Sequence, residues 1–292
     1  MRILVCVKQV PSVMEVRLNE TTGRLERDTV ENGMNVFDLY ALEAAARLEG
    51  NITALCMGPE TAKSILRDAL ALAADEAYLV SDEAFAGSDL RATAIILARA
   101  IRVLEEQGGR FDVICMGRSS TDGGAGVLPA MLAAHLGRPC VTNVLTAAWG
   151  EQESGHMPRE EAHAADSTSF RLLVEQEGET EDYTWGVTTP CVFSFTKASY
   201  AVRYPDFART IEAERTEIPV LDREKLFGTG GDKENGAVEA QEGDKTASAY
   251  TSYTQVRSFR YHPVKKSGHV ITGAADNVSA KLWKALSGKG VV

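Results

Sequence analysis

Short apolar runs alternate with helix-length amphipathic stripes from residue 3 to residue 145, and this alternation constrains the fold more than any other feature of the chain. Ile3 to Val7 is a continuous apolar run, the pattern of a strand buried on both faces. Phe37, Ala41, Leu42, Ala45 and Leu48 then recur at helical spacing until Gly50 stops them. Ile52 to Met57 is a strand ended by Gly58-Pro59; Ile65, Leu66, Ala69, Leu70 and Ala73 form a second stripe; Ala77 to Val80 is a third strand. Ser88 reads as the N-cap of a long helix with Ile95, Ile96, Ala100, Val103 and Leu104 on one face. Val113 to Met116 is a strand closed by Gly117, Val127 to Leu136 a helix closed by Gly137-Arg138-Pro139, and Val141 to Leu145 one more strand. The pattern predicts an α/β domain, a doubly wound and mostly parallel sheet with helices on both faces. Ligand loops in such sheets gather at the C-terminal strand ends, which directs attention to residues 7–10, 57–59, 81–89 and 117–126.

The rest of the chain has a different character. Residues 149–183 hold ten acidic residues against only Arg159 and Arg171. Glu151 to Ser169 reads as a solvated loop, Phe170 to Val174 and Tyr183 to Val187 as a small β-hairpin around Gly178, and Pro190 to Phe195 as another strand. Residues 228–248 carry almost no large apolar side chains, the composition of a linker. Beyond it, Val256 to Phe259 and His269 to Ile271 read as extended and Val278 to Leu286 as an amphipathic helix. A piece this short cannot bury a core alone and is expected to dock on this domain or, the preferred reading, on a partner subunit. The expected organisation is an α/β domain over 1–222, a flexible linker over 223–250 and a C-terminal arm over 251–292.

Charge and cysteine usage narrow the function classes. The 292 residues carry a net charge of −10, a poor basis for binding nucleic acid or an anionic membrane. No span approaches the roughly 18–20 apolar residues that cross a bilayer, and the first apolar run is too short for a signal peptide. Cys6, Cys56, Cys115, Cys140 and Cys191 lie far apart with no CxxC pair, as expected of reduced core thiols in a cytoplasmic protein. No GxSxG, HExxH or paired Cys/His pattern occurs, so the chain is expected to bind a cofactor that carries the chemistry.

Four segments are candidate binding loops. Gly117-Arg118-Ser119-Ser120-Thr121-Asp122-Gly123-Gly124-Ala125-Gly126 follows a buried strand and leads through Val127 into a helix. Small residues there let the backbone approach a phosphate, and free N–H groups at a helix start favour an anion. A plain tight turn explains the same string equally well, since neither a Walker A loop nor a Gly-x-Gly-x-x-Gly fingerprint is present. Ser81 to Asp89 contains Phe85, Ala86, Gly87, Ser88 and Asp89; Phe85 either packs on a ring ligand or covers the core, and Ser88 and Asp89 suit a helix start. Asn35-Val36-Phe37-Asp38 precedes a helix; Asn35 either caps it, the expected role, or bonds a base. Val7-Lys8-Gln9-Val10-Pro11 offers backbone groups to an adenine edge, with Pro11 turning the chain.

Taken in order, these motifs resemble the β subunits of electron-transfer flavoproteins. The resemblance rests on Ile3 to Pro11, Asn35 to Asp38, Met57-Gly58-Pro59, Ala69 to Ala77, Gly117-Arg118 with Asp122-Gly123, Met131 to Gly137, Arg203-Tyr204-Pro205, and the tail from Gly268 to Leu282. It covers nearly the whole chain; only about 151–169 and 228–250 look inserted. The resemblance implies a Rossmann-like fold of the adenine-nucleotide α-hydrolase type and a heterodimer with an α subunit that holds an electron-carrying FAD. It implies a second adenine nucleotide at Val7, Lys8, Gln9, Asn35, Asp38, Met57, Gly58, residues 85–89, Gly117, Arg118, Ser119 and residues 121–127. In simple carriers this nucleotide is a structural AMP. In electron-bifurcating members it is FAD, where the two electrons of NADH part, one to ferredoxin or flavodoxin and one through the α-subunit FAD to a dehydrogenase or other partner oxidoreductase; only such members are NADH-dependent oxidoreductases.

Ser81 to Asp89 is similar to the loop of anaerobe-type, bifurcating subunits, which favours FAD, although Leu90 stands where that loop has Thr. Ser119 replaces a customary Gln, and residues 124–127 lack the family's polar run. Residues 203–213 correspond to the loop that recognises dehydrogenases, with Tyr204, Phe207 and Ile211 as its apolar contacts. Two other classes stay in view, an ATP-cleaving α-hydrolase and a universal-stress-type nucleotide sensor. The first lacks its pyrophosphate loop here, and the second is usually about half this length.

Overall fold

The computed structural model describes residues 1–11, 32–150, 171–197, 201–228, 250–254 and 270–288. It divides into two compact units, Met1–Gln255 and Val256–Val292. The elements in chain order are β1 (Arg2–Val7), β2 (Gln9–Pro11), β3 (Asn32–Met34), α1 (Val36–Arg47), β4 (Asn51–Met57), α2 (Lys63–Leu72), β5 (Glu76–Val80), α3 (Leu90–Gly108), β6 (Val113–Gly117), α4 (Leu128–Leu136), β7 (Cys140–Trp149), β8 (Arg171–Gln176), β9 (Tyr183–Thr188), β10 (Cys191–Phe195), α5 (Phe207–Arg215), β11 (Val220–Leu221), α6 (Arg223–Phe227) and α7 (Ala275–Ser287). Helix α7 belongs to the second unit.

One nine-stranded sheet runs in the order β11-β5-β4-β1-β6-β10-β7-β8-β9. It is parallel from β11 to β7 and antiparallel through β8 and β9. The doubly wound α/β expectation is met, because β1 is buried on both sides. Ile3, Val5 and Val7 share a core with residues of α1 and α2, while Leu4 and Cys6 share one with residues of α3 and α4. From β1 the chain moves outward through β4 and β5, then returns to the other side of β1 as β6. The gap between β1 and β6 is therefore the point where the winding reverses, the place where such sheets hold ligands.

Most segment expectations match these elements, with physical reasons for the differences. Strand β10 inserts between β6 and β7, so strand neighbours differ from chain order. Strand β7 extends to Trp149, and the expected hairpin is β8 and β9 continuing the main sheet. Pro11 does not turn the chain: it ends β2, which pairs antiparallel with β3. Asp89, not Ser88, caps α3; its carboxylate accepts the Ala92 N–H at 2.9 Å, while Ser88 Oγ donates to the Phe85 carbonyl. Residues 223–227, expected in a linker, form α6 with Leu226 in the core. Residues 207–213, expected as loop, are helical in α5. The expectations for 151–169 and 256–259, and for most of the linker, fall outside the described residues. Val270 and Ile271 have no regular structure. Among the described residues no helix is long and apolar enough to cross a membrane.

Candidate functional site

Strands β1, β4, β5 and β6 are parallel, so the loops after Val7, Met57, Val80 and Gly117 emerge on one edge of the sheet. The first turn of α1 ties two of them together across the reversal point. Asp38 is buried; one carboxylate oxygen accepts the Lys8 N–H at 2.8 Å and the other the Gly117 N–H at 3.0 Å. Burial pushes its carboxyl up to about 7, outweighing the hydrogen bonds from Asn35, Lys8 and Gly117 and the Lys8 charge. Gly117 is required by this closeness. A Cβ there would lie 2.3 Å from Asp38 Oδ1 and 2.7 Å from Phe37 Cβ.

Asn35 has a different job from the one its position suggests. Its side chain makes no bond that caps α1. Instead Nδ2 donates to the Ser119 carbonyl at 2.9 Å and Oδ1 accepts the Thr121 N–H at 3.2 Å, while its own N–H donates to the Lys8 carbonyl. At 1% exposure it is a buried amide that fixes the loop after β6 against the loop after β1. Lys8 Nζ reaches the same loop, donating to both oxygens of Asp122 at 2.8 Å and to Ser120 Oγ at 3.3 Å. Burial opposes ionisation of Asp122, but Lys8 and Ser120 hold its carboxyl below the usual range. This half-exposed pair adds little stability, at most about 1 kcal/mol.

The far side of the loop is open. Residues 121–127 are exposed, and Gly124 and Gly126 take φ of +62° and +68°. Helix α4 starts at Leu128 with Val127 as an N-cap that gives no side-chain bond, and with Pro129 in its first turn. A buried loop floor, small exposed residues and an uncapped helix start fit an anionic group such as a phosphate. Arg118 lies beside it, its guanidinium 5.1 Å from the centre of the Phe37 ring and its N–H bonded to the Phe195 carbonyl.

The other expected residues fall into two groups. Val7 ends β1, and Gln9 is bound to the start of α2 through the Thr61 carbonyl and Ser64 Oγ. Met57 ends β4, and Gly58 N–H bonds the Val80 carbonyl. These lie on the same edge. The 81–89 loop does too, but its side chains are taken by the protein itself. Phe85 is buried against Tyr250 and Phe227, with ring centres 5.6 and 6.4 Å away, so it covers the core. Asp89 caps α3 and also accepts the N–H groups of Tyr253 and Thr254 at 2.8 and 3.0 Å. Ala86 and Gly87 are exposed. Tyr204, Phe207 and Ile211 are exposed on and before α5. The role of Asn35 as a loop tether and the 250–254 segment over Asp89 had no signal in the sequence, since both depend on partners more than 80 residues away.

The fold defines a doubly wound, Rossmann-like α/β protein whose loops are tied together at the sheet's reversal point. The electron transfer flavoprotein domain family matches residues 22–224. Over 287 residues, the chain is 34% identical to the electron transfer flavoprotein subunit beta of Megasphaera elsdenii, covering 96% of this chain and 94% of that one. It is 31% identical to the caffeyl-CoA reductase-Etf complex subunit CarD of Acetobacterium woodii, across the whole of both chains. It is 32% identical to protein FixA of Azorhizobium caulinodans over 75% of this chain and 74% of that one. The chain belongs to the electron-transfer flavoprotein family. It is an electron-transfer flavoprotein subunit of the β type, a type that pairs with an α subunit.

Proposed function

We propose that this subunit holds an adenine nucleotide at the edge between β1 and β6, and that the nucleotide is FAD. Its phosphates would lie over residues 121–127 and the start of α4, with Lys8 exchanging Asp122 for phosphate and the Asn35 and Asp38 bonds holding the floor rigid. The observation that carries this reading is the Asp38–Gly117 contact, which leaves no room for a side chain beneath the loop. Bound there, FAD would supply two-electron acceptance from NADH and one-electron delivery onward, which is electron bifurcation. Residues 81–89 favour it by their resemblance to the bifurcating branch, and full-length similarity to a subunit named for a reductase–Etf complex favours a reductase or dehydrogenase partner. Ferredoxin or flavodoxin would take the other electron.

One observation favours AMP instead. The 250–254 segment occupies Asp89, and Phe85 is buried, so the loop after β5 offers a longer ligand chiefly Ala86 and Gly87. Adding FAD or AMP back to a heterodimer emptied of nucleotide in this subunit only, with the α-subunit FAD in place, separates the readings, because a ligand that binds only the native state raises Tm. FAD should raise Tm more than AMP in the wild type and lose that effect in Gly117→Ala. Equal responses to both would remove the FAD assignment.

A further inference from the structure

Helix α1 carries a second buried acid that the nucleotide cradle does not use. Glu43 is 3% exposed. One oxygen accepts Arg203 N–H at 3.2 Å and Arg203 Nε at 2.7 Å; the other accepts Arg203 Nη2 at 3.3 Å and Arg47 Nε at 2.9 Å. Leu39, Leu42, Leu72 and Val202 line the Glu43–Arg203 pair, whose carboxylate is buried while the Arg203 side chain is 42% exposed. A buried carboxylate costs several kcal/mol unless it is fully paired, and its helix neighbours Leu42, Ala44 and Ala45 show that apolar packing alone would serve α1. Burial opposes the charge, yet the Arg203 and Arg47 bonds hold the carboxyl below its usual range.

The geometry extends from Arg203 into α5. Asp206 caps that helix and donates its own N–H to the Ala71 carbonyl. Arg209 donates to the Leu70 and Ala74 carbonyls at the end of α2. So α5 itself is tied to the end of α2, and the segment that leads into it is tied to α1 by the Glu43 carboxylate. Held this way, it presents Phe207 and Ile211 one turn apart, with Tyr204 just before them; Phe207 is 81% and Tyr204 93% exposed. An exposed aromatic ridge on a fixed element is the form of an interface hot spot.

We propose that Glu43 is a positioning residue that grips Arg203 and so sets the ridge on α5, the docking element for a flavin-dependent dehydrogenase or reductase, in register with the helix whose first turn builds the nucleotide cradle. The proposal rests on the docking role given to Tyr204, Phe207 and Ile211, and its test does not depend on nucleotide identity. Nitroxides are placed at Gln107→Cys on α3 and Glu212→Cys on α5 in the full chain co-expressed with its α subunit. The native thiols are buried or, at Cys140, pushed up to about 11 by burial, so they label poorly. Pulsed EPR should give one narrow distance in the otherwise unchanged protein. Glu43→Gln and Arg203→Gln should each lose it to a broad distribution, the double variant should be no worse than either, and Arg47→Gln should keep it narrow, with nucleotide content unchanged throughout. An unaltered narrow distance in Glu43→Gln would overturn the proposal. So would additive broadening in the double variant, or loss of nucleotide from Glu43→Gln, which would assign Glu43 to the cradle.

Discussion

Asp38 and Gly117 meet at 3.0 Å, carboxylate to backbone N–H, at the point where the sheet reverses its winding. The contact joins α1 to the end of β6, and it sets both the shape of the loop that follows and the identity of residue 117.

The first prediction is steric. In Gly117→Ala the new Cβ meets Asp38 Oδ1 at 2.3 Å and Phe37 Cβ at 2.7 Å, backed by helix rather than by a flexible chain end. Overpacking of this kind costs about 1–3 kcal/mol. Denaturant unfolding should show that loss, and the purified heterodimer should carry less nucleotide in this subunit.

Asp38 also gives stability a pH dependence. Its folded value is about 7 against an ordinary 3.8, so the native state holds a proton that the unfolded state has released. Its contribution is fully present below about pH 4 and is lost as pH rises through 7. Wild-type stability relative to Asp38→Asn should fall across that window, by at most about 1.4 kcal/mol per pH unit. Urea unfolding of both proteins at several pH values checks this; parallel profiles would contradict it.

Asn35→Ala should act on the loop more than on the helix. The Ser119 carbonyl and the Thr121 N–H lose their partner, at about 1–3 kcal/mol when such groups stay buried. Because no cap bond is removed from α1, helix content by circular dichroism should be unchanged while nucleotide affinity drops and amides 119–124 exchange faster.

Phe85→Ala separates core from ligand contact. The ring packs on Phe227 and Tyr250, so its loss should cost about 3–5 kcal/mol. Nucleotide affinity measured on the folded fraction should stay the same. Weaker binding with unchanged stability would return Phe85 to the ligand site.

Phe207→Ala should leave folding and bound nucleotide unchanged, because the ring is exposed. Stopped-flow transfer to a reductase that oxidises the wild-type complex should slow, with the loss in apparent affinity for that reductase. An unaltered rate would remove α5 as the docking element.

Much of this architecture was legible in the chain. Ile3 to Val7 and Val113 to Met116 read as doubly buried strands because both their faces meet apolar helices. That the loops after Val7, Met57, Val80 and Gly117 share one edge was legible too, since parallel strands put their C-terminal ends together. Strand order beyond β6 was not, because β10 slots beside β6 through pairing that leaves no mark on either segment. Asn35 misled for a related reason: residue type and place suggested a cap, but a buried amide goes to whichever backbone groups lack partners, here Ser119 and Thr121. For Phe85 the sequence left a ring ligand and the core as alternatives, because the ring that packs on it, Tyr250, comes from far along the chain.

The most direct measurement is to denature the purified heterodimer and identify the released nucleotides against protein concentration. The account predicts FAD from each subunit, so that flavin equals the sum of the subunits and AMP is absent. Flavin equal to the α subunit alone, whether AMP or no second adenine nucleotide is released with it, would contradict it.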